Sequence, residues 1–459
     1  MGSPAYTFDY DKANYCVYLP SLQKGYSQFA VEPNKAVRDG ELPKGLNVND
    51  LNFFRQDSKL WSCRYALYSC GQFDRALIEK NDMCAYQRGD GVVIGDSGGF
   101  QLGSGAISNK QEKQHLQRFQ LQPEQQFARW KDCGFRERTL LWLEQYTDYA
   151  MTLDMVLWAR EGVPNPFNAK SPLRKLSNQQ LIDLSVDNLK YFADNRGKFS
   201  SSTKYLNVLQ DIGHGTGMQW YEAVKDFDFE GWAFGSETKN TLFAACWWCR
   251  KLLDDGKLDN AEWIHMLGCS PIIKQIIFTA IQRSLRKVLG TRITLSLDSS
   301  SPIQIASVAS SYVLRNEFTS DLGTWKISSE LIPENLETAR RRTDVSLPDF
   351  TPHSHILDWA DIIYRDGLYD DTRRDALSYF LVENLNMYMF HHNGWKAHDL
   401  VFNSRKSCDV PPEIADAVGL VEEYFSVENV RDFESKKLQK VMQSLGDSAV
   451  DESSIDLAR

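Results

Sequence analysis

"GVVIGDSGGFQ", residues 91–101, runs through a β-branched apolar stretch, stops on Asp96 and turns at once into Gly98 and Gly99. Valine and isoleucine on both parities suit a strand buried on both faces, as in a parallel sheet. A charge that closes such a strand, with side chains then removed around it, marks a strand end meeting a ligand, because glycine lets backbone approach closely and take positive φ. Seven other segments share the apolar character: "CVYLP" (16–20), "CRYALYS" (63–69), "DYAMTLD" (148–154), "KYLNVLQ" (204–210), "GWAFGS" (231–236), "WIHMLG" (263–268) and "RITLSLD" (292–298). Between the later ones lie stretches with helical spacing of apolar residues: "PEQQFARWKDCG", "NQQLIDLSVDNLKYFADNRG", "TLFAACWWCRKLLDDG" and "PIIKQIIFTAIQRSLRKVLG". Strand and helix taking turns predicts parallel strands joined by crossover helices. Eight strands over about 300 residues predict an α/β fold, a closed (β/α)8 TIM barrel, with an open doubly wound sheet as the alternative.

In such a barrel the residues closing each strand converge on one mouth. Here they are Asp96, Asp154, Gln210, Gly235 with Ser236, Gly268 and Asp298. Any one aspartate reads equally well as a helix cap or turn residue. Three carboxylates and a carboxamide in equivalent places read instead as one polar pocket.

Composition sets the class. The 459 residues are 42% hydrophobic and 12% aromatic, enough for a large core and against disorder. A net charge of -9 supplies no global attraction for nucleic acid, although "RSLRK" (283–287) and Arg340, Arg341 and Arg342 form local basic clusters. Nine cysteines, an odd number spread over a long chain, do not resemble a secreted disulfide framework. The start "MGSPAYTFDYDK" has no leader pattern and no window reaches membrane-spanning length, so a cytoplasmic setting without membrane association is expected.

At this point the residues carry a resemblance. "DSGGFQ" (96–101) is similar to a motif of the tRNA-guanine transglycosylase superfamily, and six more segments follow in that family's order: "LQPE" (121–124), "DYAMTLD", "NVLQ" (207–210), "FEGWAFGS" (229–236), "MLGCSP" (266–271) and "LDSSSP" (297–302). The resemblance spans about residues 90–302 and implies exchange of guanine in a polynucleotide for a 7-deazaguanine. On it, Asp298 matches the nucleophile that forms a covalent glycosyl-aspartate, and Asp96 the general acid/base that protonates the departing guanine. The residue types suit the task, since two displacements at the anomeric carbon need two carboxylates and retain configuration. It further implies that Asp154 and Gln210 read the guanine edge and that Ser97, Gly98, Gly99, Phe100, Gly235, Ser236 and Met266 line the base site. Ser236 stands where the family has a second glycine, and Met266 reads equally as core packing. The target base must be extruded to reach such a pocket.

The departures are as informative. Tandem thiols of the form CxCxxC with a downstream histidine hold structural zinc in the tRNA enzymes. After residue 302 Cys408 is the only cysteine, while His391, His392 and His398 lack partners at ligand spacing. "CWWC" (246–249) reads as two buried thiols in a helix. No metal and no cofactor are expected. Where the tRNA enzymes continue P-T-R-x-A-R after the nucleophile, this chain has "PIQIAS" (302–307), placing Gln304 and Ser307 at the arginine positions. The resemblance is therefore greatest to the DNA-guanine transglycosylases of phage and bacterial DNA-modification systems, which implies DNA and 7-cyano-7-deazaguanine as substrates in the cytoplasm of a bacterial or phage-infected cell. It leaves room for a helicase or ATPase partner to open the duplex. The same exchange on tRNA and a non-catalytic nucleic-acid-binding homologue are the alternatives, the second disfavoured by the presence of both Asp96 and Asp298. A barrel hydrolase of small glycosides is more distant.

The chain divides into a barrel domain (1–345), a helical C-terminal region (346–445) and an acidic tail expected to be disordered (446–459). Residues 355–390 and 414–445 carry helical periodicity, with aromatics spaced as for a core. "AHDL" (397–400) resembles a family H-N-L, and Arg340 to Arg342 are candidates to grip phosphate.

Overall fold

Each of the eight apolar segments coincides with one strand, β1 and β8 running one or two residues past their expected ends: β1 (Val17–Leu22), β2 (Tyr65–Ser69), β3 (Val92–Asp96), β4 (Tyr149–Met151), β5 (Lys204–Leu209), β6 (Gly231–Phe234), β7 (Trp263–Met266) and β8 (Thr294–Ser299). In the computed structural model they pair in sequence order, all parallel, and β8 returns to β1 through Val17 against Ser296 and Leu19 against Asp298, closing an eight-stranded barrel. The structure describes residues 8–23, 25–26, 42–43, 45–72, 91–107, 110–235, 241–334, 351–365, 372–373, 376–403, 409–430, 433 and 435–446. Ser236, Arg340, Arg341, Arg342, Cys408, residues 447–459 and the expected boundary at 345 lie outside them.

The strands are apolar on both parities because both faces are covered. β2, β6 and β7 are buried at every position, helices outside and side chains within. The crossover helices Asn178–Asn195, Leu242–Asp254 and Ile272–Leu289 fall where the apolar spacing puts them, the first opened by a capping box between Ser177 and Gln180. Two further helices, Phe135–Tyr146 and His214–Val224, carry weaker signals. Both start behind a glycine with no side-chain cap, and the second holds Gly215 and Gly217, poor helix formers, in its first turns.

After β8 the chain does not leave the barrel. The 27-residue helix Ala376–Phe402 is buried over most of its length and lies over the outer face of β1, where Phe390 stacks on Tyr18 at 5.6 Å between centroids. Its polar residues are bonded to what surrounds them. Asn384 accepts from Trp61 Nε1 at 2.5 Å and donates to the Tyr26 hydroxyl and the Leu51 carbonyl, both at 2.9 Å. Asn386 ties Val313, Pro302 and Ser311, His391 meets the Tyr10 hydroxyl at 2.6 Å, and His398 meets Thr279 Oγ1 at 2.8 Å. Buried side chains from Tyr10 to Leu445 form one continuous core. Helices Pro412–Ser426 and Ser435–Ser444 complete the region, the former against Ile272–Leu289.

The periodic stretch 355–390 is not one helix. Asp358 and Asp361 exchange side chain-to-backbone bonds that start a separate turn, Trp359–Ile362. A two-residue antiparallel pair, Tyr364–Arg365 with Thr372–Arg373, then precedes the long helix. Among the described residues no helix is long and apolar enough to cross a membrane.

Asn384→Ala leaves the buried Trp61 Nε1–H without its acceptor, while the Tyr26 hydroxyl and the Leu51 carbonyl keep their mutual bond at 2.8 Å, and should destabilise the fold by about 1–3 kcal/mol. Urea denaturation followed by tryptophan fluorescence would show it; an unchanged midpoint would mean that this helix contributes nothing to the cooperative unit.

Candidate active site

The first polar group at the mouth comes from the turn after β3. Asp96 pairs in register with Ser69 of β2, whose hydroxyl is shared between the Asp96 carboxylate and Gln101 Oε1, the latter at 2.9 Å, and Asp96 Oδ1 also accepts from Gly98 N at 3.2 Å. Gly98 sits at φ 91°, where a Cβ would stand 2.7 Å from Gly71 N, so conformation and space both require glycine. The next residue opens the helix Gly99–Ser104 and lies directly against Asp154: a Cβ on Gly99 would come within 2.5 Å of Asp154 Oδ1.

Asp154 follows β4 by three residues and is buried, 6% exposed. Its Oδ2 accepts from Gln210 Nε2 at 2.5 Å, and Gln210, itself buried, immediately follows β5. Gly235 after β6 faces that carboxamide, a Cβ there falling 2.7 Å from Gln210 Nε2. The glycines therefore do steric work, holding two strand ends against a carboxylate–carboxamide pair.

Asp298 closes the ring on β8 and is 6% exposed. Its Oδ1 receives Gly268 N at 2.6 Å and His265 Nε2 at 3.2 Å. His265 is fully buried on β7, and its Nδ1 lies 2.8 Å from Ser296 Oγ, which also accepts from Trp263 Nε1 at 2.7 Å.

Electrostatics separates the carboxylates. Loss of hydration raises Asp154 to about 7, with the nearby charge of Asp96 adding to the rise and the Gln210 hydrogen bond opposing it. Asp96 is partly open at the mouth, but desolvation of its carboxylate is still the largest influence and pushes it above the usual range. The Ser69 and Gly98 hydrogen bonds pull it back, and the charge of Asp298 adds a smaller push. A carboxyl inclined to hold a proton, close enough to feel a second carboxylate fixed by two donors, is an arrangement for acid catalysis beside a nucleophile or base. The Asp154–Gln210 pair supplies an acceptor and an amide for the edge of a planar heterocycle.

The remaining expected residues divide by what they touch. Met266 is fully buried at the end of β7, and the buried Ser97 spends its hydroxyl on the Thr152 carbonyl at 3.1 Å. Phe100 stands on the rim, 45% exposed, with Trp158 at 5.5 Å and Phe167, 47% exposed, at 5.2 Å between ring centroids. Cys246 and Cys249 are buried thiols, and His391, His392 and His398 lie on the long helix with their imidazoles pushed down by burial, His391 to about 3. Among the described residues no group of three or more histidine, cysteine, aspartate or glutamate side chains is placed to hold a metal ion.

Four contributors were not among the expected site residues: Ser69, His265, Trp158 and Phe167. The first two carried a signal, since a polar residue closing "CRYALYS" and a histidine inside the apolar "WIHML" both sit where a buried strand should be apolar. The aromatic pair lies on the loop after β4, whose path no periodicity reveals. No protein-family model matches the chain, and no curated protein matches it.

The raised carboxyl of Asp154 makes a stability test. Between about pH 4 and 7 the folded chain holds a proton there that the unfolded chain has released, so this group's contribution is complete below the ordinary carboxylate range and is lost as pH rises towards 7. Asp154→Asn cannot ionise; its urea midpoint should match the parent near pH 4 and exceed it progressively up to pH 7. A difference that does not vary with pH would refute the assignment.

Proposed function

We propose that the protein is a DNA base-exchange enzyme, a retaining transglycosylase that replaces guanine in DNA with a 7-deazaguanine, 7-cyano-7-deazaguanine being the first candidate. The observation that carries the reading is the gathering of Asp96, Asp154, Gln210 and Asp298 at one barrel mouth, the four positions that the resemblance to the tRNA-guanine transglycosylase superfamily singles out.

The chemistry follows from their environments. Asp298 attacks the anomeric carbon as the bond to guanine breaks, and Asp96, inclined by burial to carry a proton, delivers it to the leaving base. The incoming 7-deazaguanine returns a proton to Asp96 and attacks the same carbon, and the bonding electron pair goes back to Asp298. Each displacement inverts, so the pair retains. Asp154 accepts from the ring and exocyclic N–H groups, and Gln210 addresses the oxygen edge. Since a guanine edge bonds the ionised form, base binding would draw the proton off Asp154.

The choice of DNA rests on the surface beyond the nucleophile. In the helix Ser301–Ser307, Gln304 and Ser307 are exposed and uncharged where the tRNA enzymes carry arginines, and each spends its side chain locally, on Ser300 Oγ and the Ile303 carbonyl. On the opposite side of the ring order the rim aromatics Phe100, Trp158 and Phe167 lie on the short helix Gly99–Ser104 after β3 and the loop after β4. Segment 157–175 carries Arg160, Lys170, Arg174 and Lys175 against Glu161, net +3 in a chain of net -9. Exposed rings amid positive charge suit the stacking of unpaired nucleotides.

Labelled 7-cyano-7-deazaguanine offered with duplex DNA, single-stranded DNA and tRNA in parallel tests the reading. Label should enter DNA and fall on the order of 10⁴-fold or more in Asp298→Ala and Asp96→Ala. Label in tRNA alone would overturn the choice of polymer, and label in none would overturn the activity. Guanine affinity should rise as pH goes from 5 to about 7 and level off above, read by calorimetry, because binding takes the ionised Asp154. Phe167→Ala should raise KM for single-stranded substrate about 5- to 100-fold with kcat held; an unchanged KM would remove the rim from the binding surface.

A further inference from the structure

His265 is the buried imidazole set against the carboxylate that the base-exchange reading makes the nucleophile. It lies in mid-barrel on β7, is fully buried, and is the only side chain seen to bond Asp298 among the described residues. Strand parity explains how it arrives there. Trp263 and His265 share one face of β7, Ser296 and Asp298 one face of β8, and His265 and Ser296 are direct partners in the ladder. Side chains of two neighbouring strands thus form a single chain of contacts pointing up the barrel: Trp263 Nε1 to Ser296 Oγ at 2.7 Å, Ser296 Oγ to His265 Nδ1 at 2.8 Å, and His265 Nε2 to Asp298 Oδ1 at 3.2 Å.

Proton counting sets the direction of every link. An indole N–H only donates, so Ser296 Oγ accepts from Trp263. Its one hydroxyl proton is then free for His265 Nδ1, and the Asp298 carboxylate, an acceptor only, calls for a donor opposite it, so the proton of a neutral imidazole sits on Nε2. Were the ring cationic, both nitrogens would donate, and Ser296 Oγ still has a second lone pair to receive Nδ1–H. In either charge state Nε2–H donates to Asp298 Oδ1. Gly268 N–H donates to that same oxygen at 2.6 Å.

We propose that His265 is the positioning residue of the nucleophile. With Gly268 it occupies Oδ1 of Asp298, turns Oδ2 to the anomeric carbon, and stabilises the carboxylate charge that returns when the glycosyl ester is broken. This rests on the base-exchange reading above. In the first displacement Oδ2 forms the bond to the anomeric carbon while the electron pair of the broken bond leaves with the base, which takes its proton from Asp96. The carbonyl oxygen of the resulting ester is Oδ1, still held by both donors. In the second displacement the incoming base, giving its proton to Asp96, forms the new bond, and the pair of the ester C–O bond returns to Oδ2. Negative charge then redevelops across the carboxylate. A donor fixed in advance on Oδ1 needs no reorganisation at that moment, which is how preorganised donors lower barriers to such steps. His265 contacts no part of the base in this scheme, so its loss should spare base affinity.

The test separates bonding from packing. Enzyme is incubated with guanine-containing DNA, or whichever polymer accepts label, the covalent adduct is isolated on a denaturing gel, and its disappearance is followed after a chase with 7-deazaguanine base. In His265→Leu the chase should slow about 10- to 100-fold, with KM for the base within about twofold of the parent, as for loss of a hydrogen bond to a charged group. His265→Gln, close in volume and with an amide N–H able to replace Nε2–H, should recover much of the rate. A packing role would give the two variants equal defects. Ser296→Ala, which leaves the imidazole in place but unsupported, should show an intermediate slowing and serves if His265 variants fail to fold. Chase rates equal to the parent in His265→Leu and Ser296→Ala, with the adduct formed normally, overturn the role of His265 alone. No adduct with the parent enzyme on any polymer overturns the base-exchange reading, and this proposal with it.

Discussion

Everything at the mouth depends on β8 closing against β1. Asp298 is placed by the ladder that sets it beside Leu19, and Asp96 by the ladder that sets it beside Ser69. The two residues are 202 positions apart in the chain, yet each sits at a strand end of one continuous parallel sheet. In an open sheet of the same strands, β8 and β1 would be edges and their polar ends would face different solvent. Closure turns a list of strand ends into a ring.

A ring of carboxylates is electrostatically costly, and the local structure shows how the cost is distributed. Asp154 and Asp96 are both pushed towards the protonated form by burial, and each is drawn back by hydrogen bonds, from Gln210 in the one case and from Ser69 and Gly98 N–H in the other. Asp298 is held differently, by a backbone N–H and an imidazole that is itself anchored to Ser296 and Trp263. Three aspartates at equivalent strand ends are therefore three different chemical groups. Their difference comes from which neighbours supply donors, the same principle by which paired carboxylates elsewhere take acid and base roles.

The outer wall of β1 explains why the chain continues past the barrel. Tyr18 needs an apolar cover, and the helix Ala376–Phe402 provides it with Phe390 and His391 while using Asn384, Asn386 and Asn393 to satisfy loops that would otherwise bury unpaired backbone groups. The histidines on this helix are part of that accounting: His391 bonds Tyr10, and His398 bonds Thr279 and lies near the Gln275 carbonyl. A strand so placed is braced on the side opposite the site, which steadies the partner that positions Asp298.

The eight strands, the parallel order and the polar strand ends were legible in the sequence, because runs such as "GVVIGD" and "RITLSLD" are apolar on both parities and end abruptly on charge. So were the crossover helices with strong apolar stripes. The helix Phe135–Tyr146, which starts behind Gly134 with no side-chain cap to announce it, was not, nor was the break at Asp358 and Asp361 within 355–390, where local hydrogen bonds overrode the periodicity. Strand identity and the choice of aspartate are local properties, carried by neighbours in sequence. Which carboxylate keeps a proton, which oxygen of Asp298 stays free, and that His265 rather than any nearer residue bonds it are decided only in three dimensions, because burial and hydrogen-bond donors arrive from strands and turns remote in the chain.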